Sequence, residues 1–397
     1  MIFLIVMFSC KKNPYPYLNK EVVASLKLSG RNSVELMKSI ARYSHRKDSI
    51  KLDMCLWLIK NMKYHTHKTY LLFDSTKKAI DYNISDFDNL YEARNYKDSI
   101  SKVRGELRFY RHFNGLDLYK IKGQCIINQV EDAFANKYVD ILNDTVAYNM
   151  VKKYVLPYRL NDSEISLWKQ YFNKRYDYLD CSYDSIIEKI TQDVWDMMEY
   201  DSCYIENPTD QNLEKIITNK KGRSEDAAVL LAMALRSQGI PATIDYVPLP
   251  QEEEGKLCYW DIVWDKELIK KSVIPVKDLL EEYDNPFKVF RRSYTKINNA
   301  LPNDTIYNDI RYMHFLDGCF EDVTNEYHDV TSIIVNDFAY RDALQPVFLE
   351  VNYNGKWFII DWKYPEKEMI FNNITRGYDY AIFNSAGEIM QRVEEVQ

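Results

Sequence analysis

Residues 220–250, "KKGRSEDAAVLLAMALRSQGIPATIDYVPLP", decide how this chain is read. From Ala227 to Leu235 every residue is apolar. A helix apolar on all sides has no face to give to water, so it belongs inside a large core. Gly239 offers the backbone freedom that ends a helix, and Pro241 forbids its continuation. The period then changes. "ATIDYV" alternates as a strand does, an acidic loop "PLPQEEEGK" follows, and "LCYWDIVW" alternates again. Ser224, followed by Glu225 and Asp226, reads as the N-cap of the helix, because acids favour its first turn. "QEEEG" reads as a solvated hairpin loop.

On the amino-terminal side the periodicity is helical. "NSVELMKSIARYS" and "SIKLDMCLWLIKNMKYH" set apolar residues three and four apart, as do "NQVEDAFANKYVD" and "DSIIEKITQDVWDMM". "DSEISLWKQYFNKRYDYL" is expected to start a helix with a capping box at Asp162 or Ser163. Beyond Leu301 strands and turns take over, and "YNGKW" (Tyr353 to Trp357) is a hairpin turn because Asn-Gly accepts the positive φ angles of type I′. The expected class is α+β, in four parts. Residues 1–10 form a signal peptide and 11–180 an α-helical region. Residues 181–297 form an α+β core, and 298–397 a β-rich domain of antiparallel, sandwich-like character.

A net charge of −7 leaves no basic excess to neutralise phosphates, so nucleic acid is not expected as a partner. The seven cysteines include no CxxC pair, which argues against zinc or redox motifs. No metal or other cofactor is expected. "MIFLIVMFSCKK" is too short to cross a bilayer as a helix, which takes ~20 residues. Its apolar run ends in Ser9-Cys10, like a bacterial lipoprotein signal without a basic start. Cys10 is then the lipidated residue, and Lys11 and Lys12 favour the periplasmic side over the cell surface.

A buried helix whose N-terminus faces an antiparallel strand is the arrangement of papain-like cysteine enzymes. There the helix end lowers a thiol's pKa and the strand supplies a base. The stretch "GRSEDAAVLLAMALRSQGIPATIDYVP" resembles the transglutaminase-like family, whose motif runs Gly-x-Cys, a helix, then Leu-Arg-x-x-Gly-Ile-Pro-Ala. Leu235, Arg236, Gly239, Ile240, Pro241 and Ala242 match it. The family's His-x-Trp is similar to "CYWD". Further segments resemble a bacterial cell-envelope lipoprotein subgroup of the family: Asp48 to His65, Tyr154 to Phe172 and Phe320 to Thr331.

The departures fall on the chemistry that the resemblance implies. Ser224 stands at the family's nucleophilic cysteine and Cys258 at its histidine, while Trp260 keeps the tryptophan and Asp261 follows it in the cleft. Asp278 and Asp265 are the candidates for the third residue. A serine hydroxyl needs an adjacent base to attack, and a thiol is no useful base at neutral pH. The reading is therefore a catalytically degenerate, membrane-anchored envelope protein that binds peptide or glycan in the former cleft. A residual serine-dependent hydrolase or acyl transferase stays open, as does a purely structural envelope component. Elsewhere, His65 and His67 could ligate a metal or sit at a helix end. Arg291 and Arg292 read as surface, and Trp357, Trp362 and Tyr364 as a sugar-stacking face or as core.

Overall fold

The computed structural model describes residues 18–135, 143–176, 182–277, 281–282, 285–302, 305–336 and 345–393. Cys10 and Asp278 lie outside them. Three helices open the described chain: α1 (Lys20–Leu28), α2 (Ser33–Arg42) and α3 (Ser49–Asn61). Asn19 starts the first by accepting the Val22 N–H at 2.9 Å. Then come β1 (Thr66–Phe73), α4 (Leu90–Arg104), β2 (Arg108–Leu116), α5 (Gly123–Phe134) and α6 (Thr145–Tyr154). Val22, Leu36, Leu58, Ile126 and Val151 meet in a core of their own, each fully buried. The antiparallel pair β1–β2 is an addition to the expected all-helical region. The helical period of the flanking segments masks a strand pair whose alternation is weak.

The middle of the chain holds α7 (Trp168–Arg175), α8 (Tyr183–Met197), β3 (Glu199–Tyr200), α9 (Leu213–Asn219), β4 (Lys221–Gly222) and α10 (Ser224–Ser237). After it run β5 (Ala242–Tyr246), β6 (Lys256–Leu257), β7 (Tyr259–Trp264), β8 (Lys270–Val273), β9 (Glu281–Glu282) and β10 (Phe290–Arg292). The expected capping box at Asp162 does not start α7, which begins only at Trp168. Asp162 instead pairs with the buried Lys68 at 2.8 Å, because an ammonium withdrawn from water needs a carboxylate.

α10 is buried from Ser224 to Arg236. It packs on α7 and α8 to one side and on β5 and β7 to the other. Gly239, at φ +80°, lets the chain leave the helix as expected. The sheet beneath runs β11-β10-β5-β7-β8, antiparallel throughout, with β11 (Phe320–Asp322) at one edge.

The carboxy-terminal part contains β12 (Val330–Asn336), β13 (Val347–Tyr353), β14 (Lys356–Lys363), β15 (Glu368–Thr375), β16 (Asp379–Phe383) and β17 (Ile389–Val393). They form a four-stranded sheet in the order β14-β13-β16-β17 and a pair β12-β15. Asn354 and Gly355 both have positive φ at the β13–β14 turn, as Asn-Gly predicts. The core of the middle region continues without a break into this sheet through Phe315, Phe348 and Ile382. Helices and antiparallel sheets together make the protein α+β. No helix among the described residues is long and apolar enough to cross a membrane.

Candidate functional site

The N-terminus of α10 leaves its first backbone N–H groups without intrahelical acceptors. Here the expected cap is corrected. Arg223 holds the N-cap position with an extended backbone, and Ser224 is the first helical residue. The Arg223 N–H donates to Asp226 Oδ2 at 3.1 Å. The next two N–H groups reach a residue 28 positions away in sequence terms for Ser224. Ser224 N donates to Glu252 Oε2 at 3.0 Å, and Glu225 N to Glu252 Oε1 at 2.9 Å. The loop between β5 and β7 therefore returns a carboxylate to the helix end, where the helix dipole favours negative charge.

This also corrects the reading of "QEEEG" as solvated. Gln251 is exposed, but the Glu252 side chain is 3 % exposed. The signal was present in three consecutive glutamates, yet nothing in them says which one turns inward. That depends on where the loop crosses the helix.

Around Glu252 the charges interlock. Arg223 reaches Asp210 at 2.6 Å and Glu225 at 2.5 Å, and Arg292 pairs with the other oxygen of Glu225. Gln211 Nε2 donates to Asp226 at 3.1 Å. Four acids, Asp210, Glu225, Asp226 and Glu252, thus share two guanidinium groups. They cannot all ionise out of water. Burial pushes Glu252 up to about 7, against the pull of Arg223. Burial and the charge of Glu225 also raise Asp210, whereas for Glu225 itself the two arginines outweigh burial and hold it low. Arg292, expected at the surface, is one of the two charges that make this cluster possible.

Ser224 is fully buried. Its Oγ adjoins the Glu252 carboxylate but completes no hydrogen bond of ordinary geometry. Cys258 is fully buried too, just ahead of β7, with its thiol 3.7 Å from the Lys256 carbonyl oxygen. No hydrogen bond joins the two side chains. The β7 residue that lies in the field of the helix-end cluster is Tyr259, one place further on, stacked 5.2 Å from Tyr246 under the Arg292 guanidinium.

Trp260 and Asp261 do not share a cleft, because neighbouring strand residues point to opposite faces. Trp260 Nε1 donates to the Tyr327 hydroxyl at 3.0 Å, which in turn donates to Asp245, the partner of Arg291. Asp261 faces α10 near Arg236, twelve residues beyond Ser224 and so ~18 Å along the helix. Burial raises its carboxyl far above the ordinary range, and neither oxygen finds a hydrogen-bond donor. Asp265 closes the turn after β7, accepting the Glu267 and Ile269 N–H groups. It pairs with Lys271 at 3.3 Å.

Beside the cluster, a polar cavity of about 100 Å³ opens between Glu225, Arg292, Tyr246, His314, Lys68 and Asp317. His314 Nε2 lies 2.6 Å from the Leu249 carbonyl oxygen, which can only accept, so the ring carries Nε2–H, and burial lowers it to about 4. It is neutral at pH 7. His65 stacks on Tyr294 at 4.1 Å with its ring nitrogen 2.9 Å from the Tyr294 carbonyl, which places it in packing rather than beside His67 in a metal site. Among the described residues no cluster of three His, Cys, Asp or Glu could hold a metal ion.

Residues 172–269, from α7 through the turn after β7, match the model of the transglutaminase-like superfamily. No curated protein and no solved structure is significantly similar to the chain. The middle of the chain is therefore a transglutaminase-like domain, with the papain-like order of buried helix and antiparallel sheet.

Proposed function

We propose that this transglutaminase-like domain is a non-catalytic scaffold within a lipid-anchored envelope protein. One observation carries the reading: the helix end that would hold and activate a nucleophile is filled by the chain's own Glu252. Both oxygens of that carboxylate are taken by the N–H groups of Ser224 and Glu225. An acyl-transfer site needs that helix end free for a thiolate or oxyanion. A serine there also needs a base, and no imidazole stands at position 258. The residual hydrolase is thereby disfavoured on both counts. Binding of peptide or glycan at the former cleft needs room beside Ser224, and the position is fully buried. A structural role is the reading these facts support best, and its place in an envelope assembly, with Cys10 carrying the lipid, rests on the Ser9-Cys10 signal in the sequence.

The test is labelling with a small fluorophosphonate, with the Ser224→Ala variant as its control. No adduct is expected at Ser224 in the folded protein, and no hydrolysis or transfer with acyl donors. Stoichiometric labelling that Ser224→Ala abolishes would restore the enzyme.

A further inference from the structure

The carboxy-terminal sheet carries an opening that the scaffold reading does not use. A cavity of about 250 Å³ lies between the β14-β13-β16 face and the segment Ile310–Phe315, with Trp357, Phe383, Glu350 and Arg311 on its walls and Pro250 at its rim. A second chamber of about 430 Å³ has Arg311 on its wall as well and is bounded by Gln251, Arg108, Phe109 and Asp309.

Glu350 is the unusual wall residue. It is half-buried in the middle strand of the sheet, and its side chain forms no hydrogen bond or ion pair with any described residue. Arg311 is close enough to act on its charge but pairs with Asp309 at 3.4 Å instead. Burial pushes the Glu350 carboxyl up to about 7. Half-buried beside the opening, the carboxyl has room to accept hydrogen bonds from a ligand's hydroxyls. Trp357 is also half-buried, 5.2 Å from Phe383, with the Arg392 guanidinium over its ring.

The wall chemistry selects the class of ligand. A cationic group would meet Arg311, and an anionic one would meet Glu350. A neutral ligand with hydroxyl donors satisfies both kinds of charge, and the C–H face of a ring suits an indole. The first chamber lies just below the ~300–1,000 Å³ of sites for drug-sized ligands, so it takes one ring. We propose that this groove binds a neutral glycan, one sugar ring against Trp357 and its hydroxyls shared between Glu350 and Arg311. The proposal stands on the carboxy-terminal sheet and is independent of whether the transglutaminase-like domain is catalytic.

The experiment is calorimetric titration of the full chain with neutral oligosaccharides: trimers of β-1,4-glucose, α-1,4-glucose, β-1,4-mannose, β-1,4-xylose and β-1,4-N-acetylglucosamine. At least one should bind with a Kd below 1 mM, on the order of the affinity scale where a few good contacts act. Trp357→Ala and the near-isosteric Glu350→Gln should each weaken it at least about tenfold. Tyr364→Ala, outside the groove, should leave it unchanged. Glu350→Gln keeps the test valid if Trp357→Ala does not fold. Failure of every trimer to bind would overturn the proposal. So would binding that neither groove variant weakens, or a clear preference for sulfated glycans or a basic peptide.

Discussion

Replacing Glu252 by Gln should change stability in a way that depends on pH, and the sign tests the account of the helix end. The folded carboxyl titrates near 7 because burial outweighs Arg223 and the two N–H donors, whereas an unfolded one titrates near 4.5. Between those values the folded chain holds a proton that the unfolded chain has lost. Stability from this group is therefore full below pH 4.5 and is lost as pH rises through 7. At about 1.4 kcal/mol per pH unit of separation, the full loss is about 3 kcal/mol, of which about 2–3 falls between pH 5 and pH 8. Gln keeps one acceptor for the two N–H groups and does not titrate. At pH 5 the variant should be the less stable, by about 1 kcal/mol for the weakened cap. At pH 8 it should be the more stable. Urea-unfolding midpoints of both proteins across this range give the difference directly, and the raised Asp210 cancels because both proteins carry it. A difference that stays flat refutes the titration. One that moves toward the wild type with rising pH shows instead a carboxylate held ionised by the helix dipole and Arg223.

Ser224→Cys should give a thiol that iodoacetamide does not alkylate at pH 8 until denaturant is added, with or without Cys258→His, since position 224 is buried under Glu252; rapid alkylation of the folded variant would show an open site. Lys169 is buried with no hydrogen-bond partner for its Nζ, and burial lowers it to about 7. Below pH 7 the fold bears the whole cost, which fades as pH rises toward 10.5, so Lys169→Met should stabilise by at most about 5 kcal/mol at pH 6 and by little at pH 10. A variant that gains more at pH 10 than at pH 6 would contradict this. Cys10→Ala should move the protein from the membrane fraction to the soluble one, and unchanged partitioning would remove the lipid anchor from the proposal.

What the sequence by itself determined is local. Nine apolar residues in a row from Ala227 to Leu235 require a buried helix, and Gly239 and Pro241 require its end. Asn354-Gly355 requires a tight turn. These depend on neighbours in the chain, which the sequence states outright. The transglutaminase-like core was legible for the same reason, because its helix and strand motifs are short and consecutive. What only the tertiary structure decided is which distant groups meet. No pattern in "QEEEG" tells that Glu252 turns inward to close a helix 27 residues upstream of it, while Gln251 stays out. Nor does "RR" tell that Arg292 is drawn over two tyrosines to neutralise Glu225. Trp260 and Asp261 are adjacent in the chain, but the period of a strand sends them to opposite faces of the sheet. A buried charge is placed by the partners that long-range packing brings to it, and those partners are written nowhere near it in the sequence.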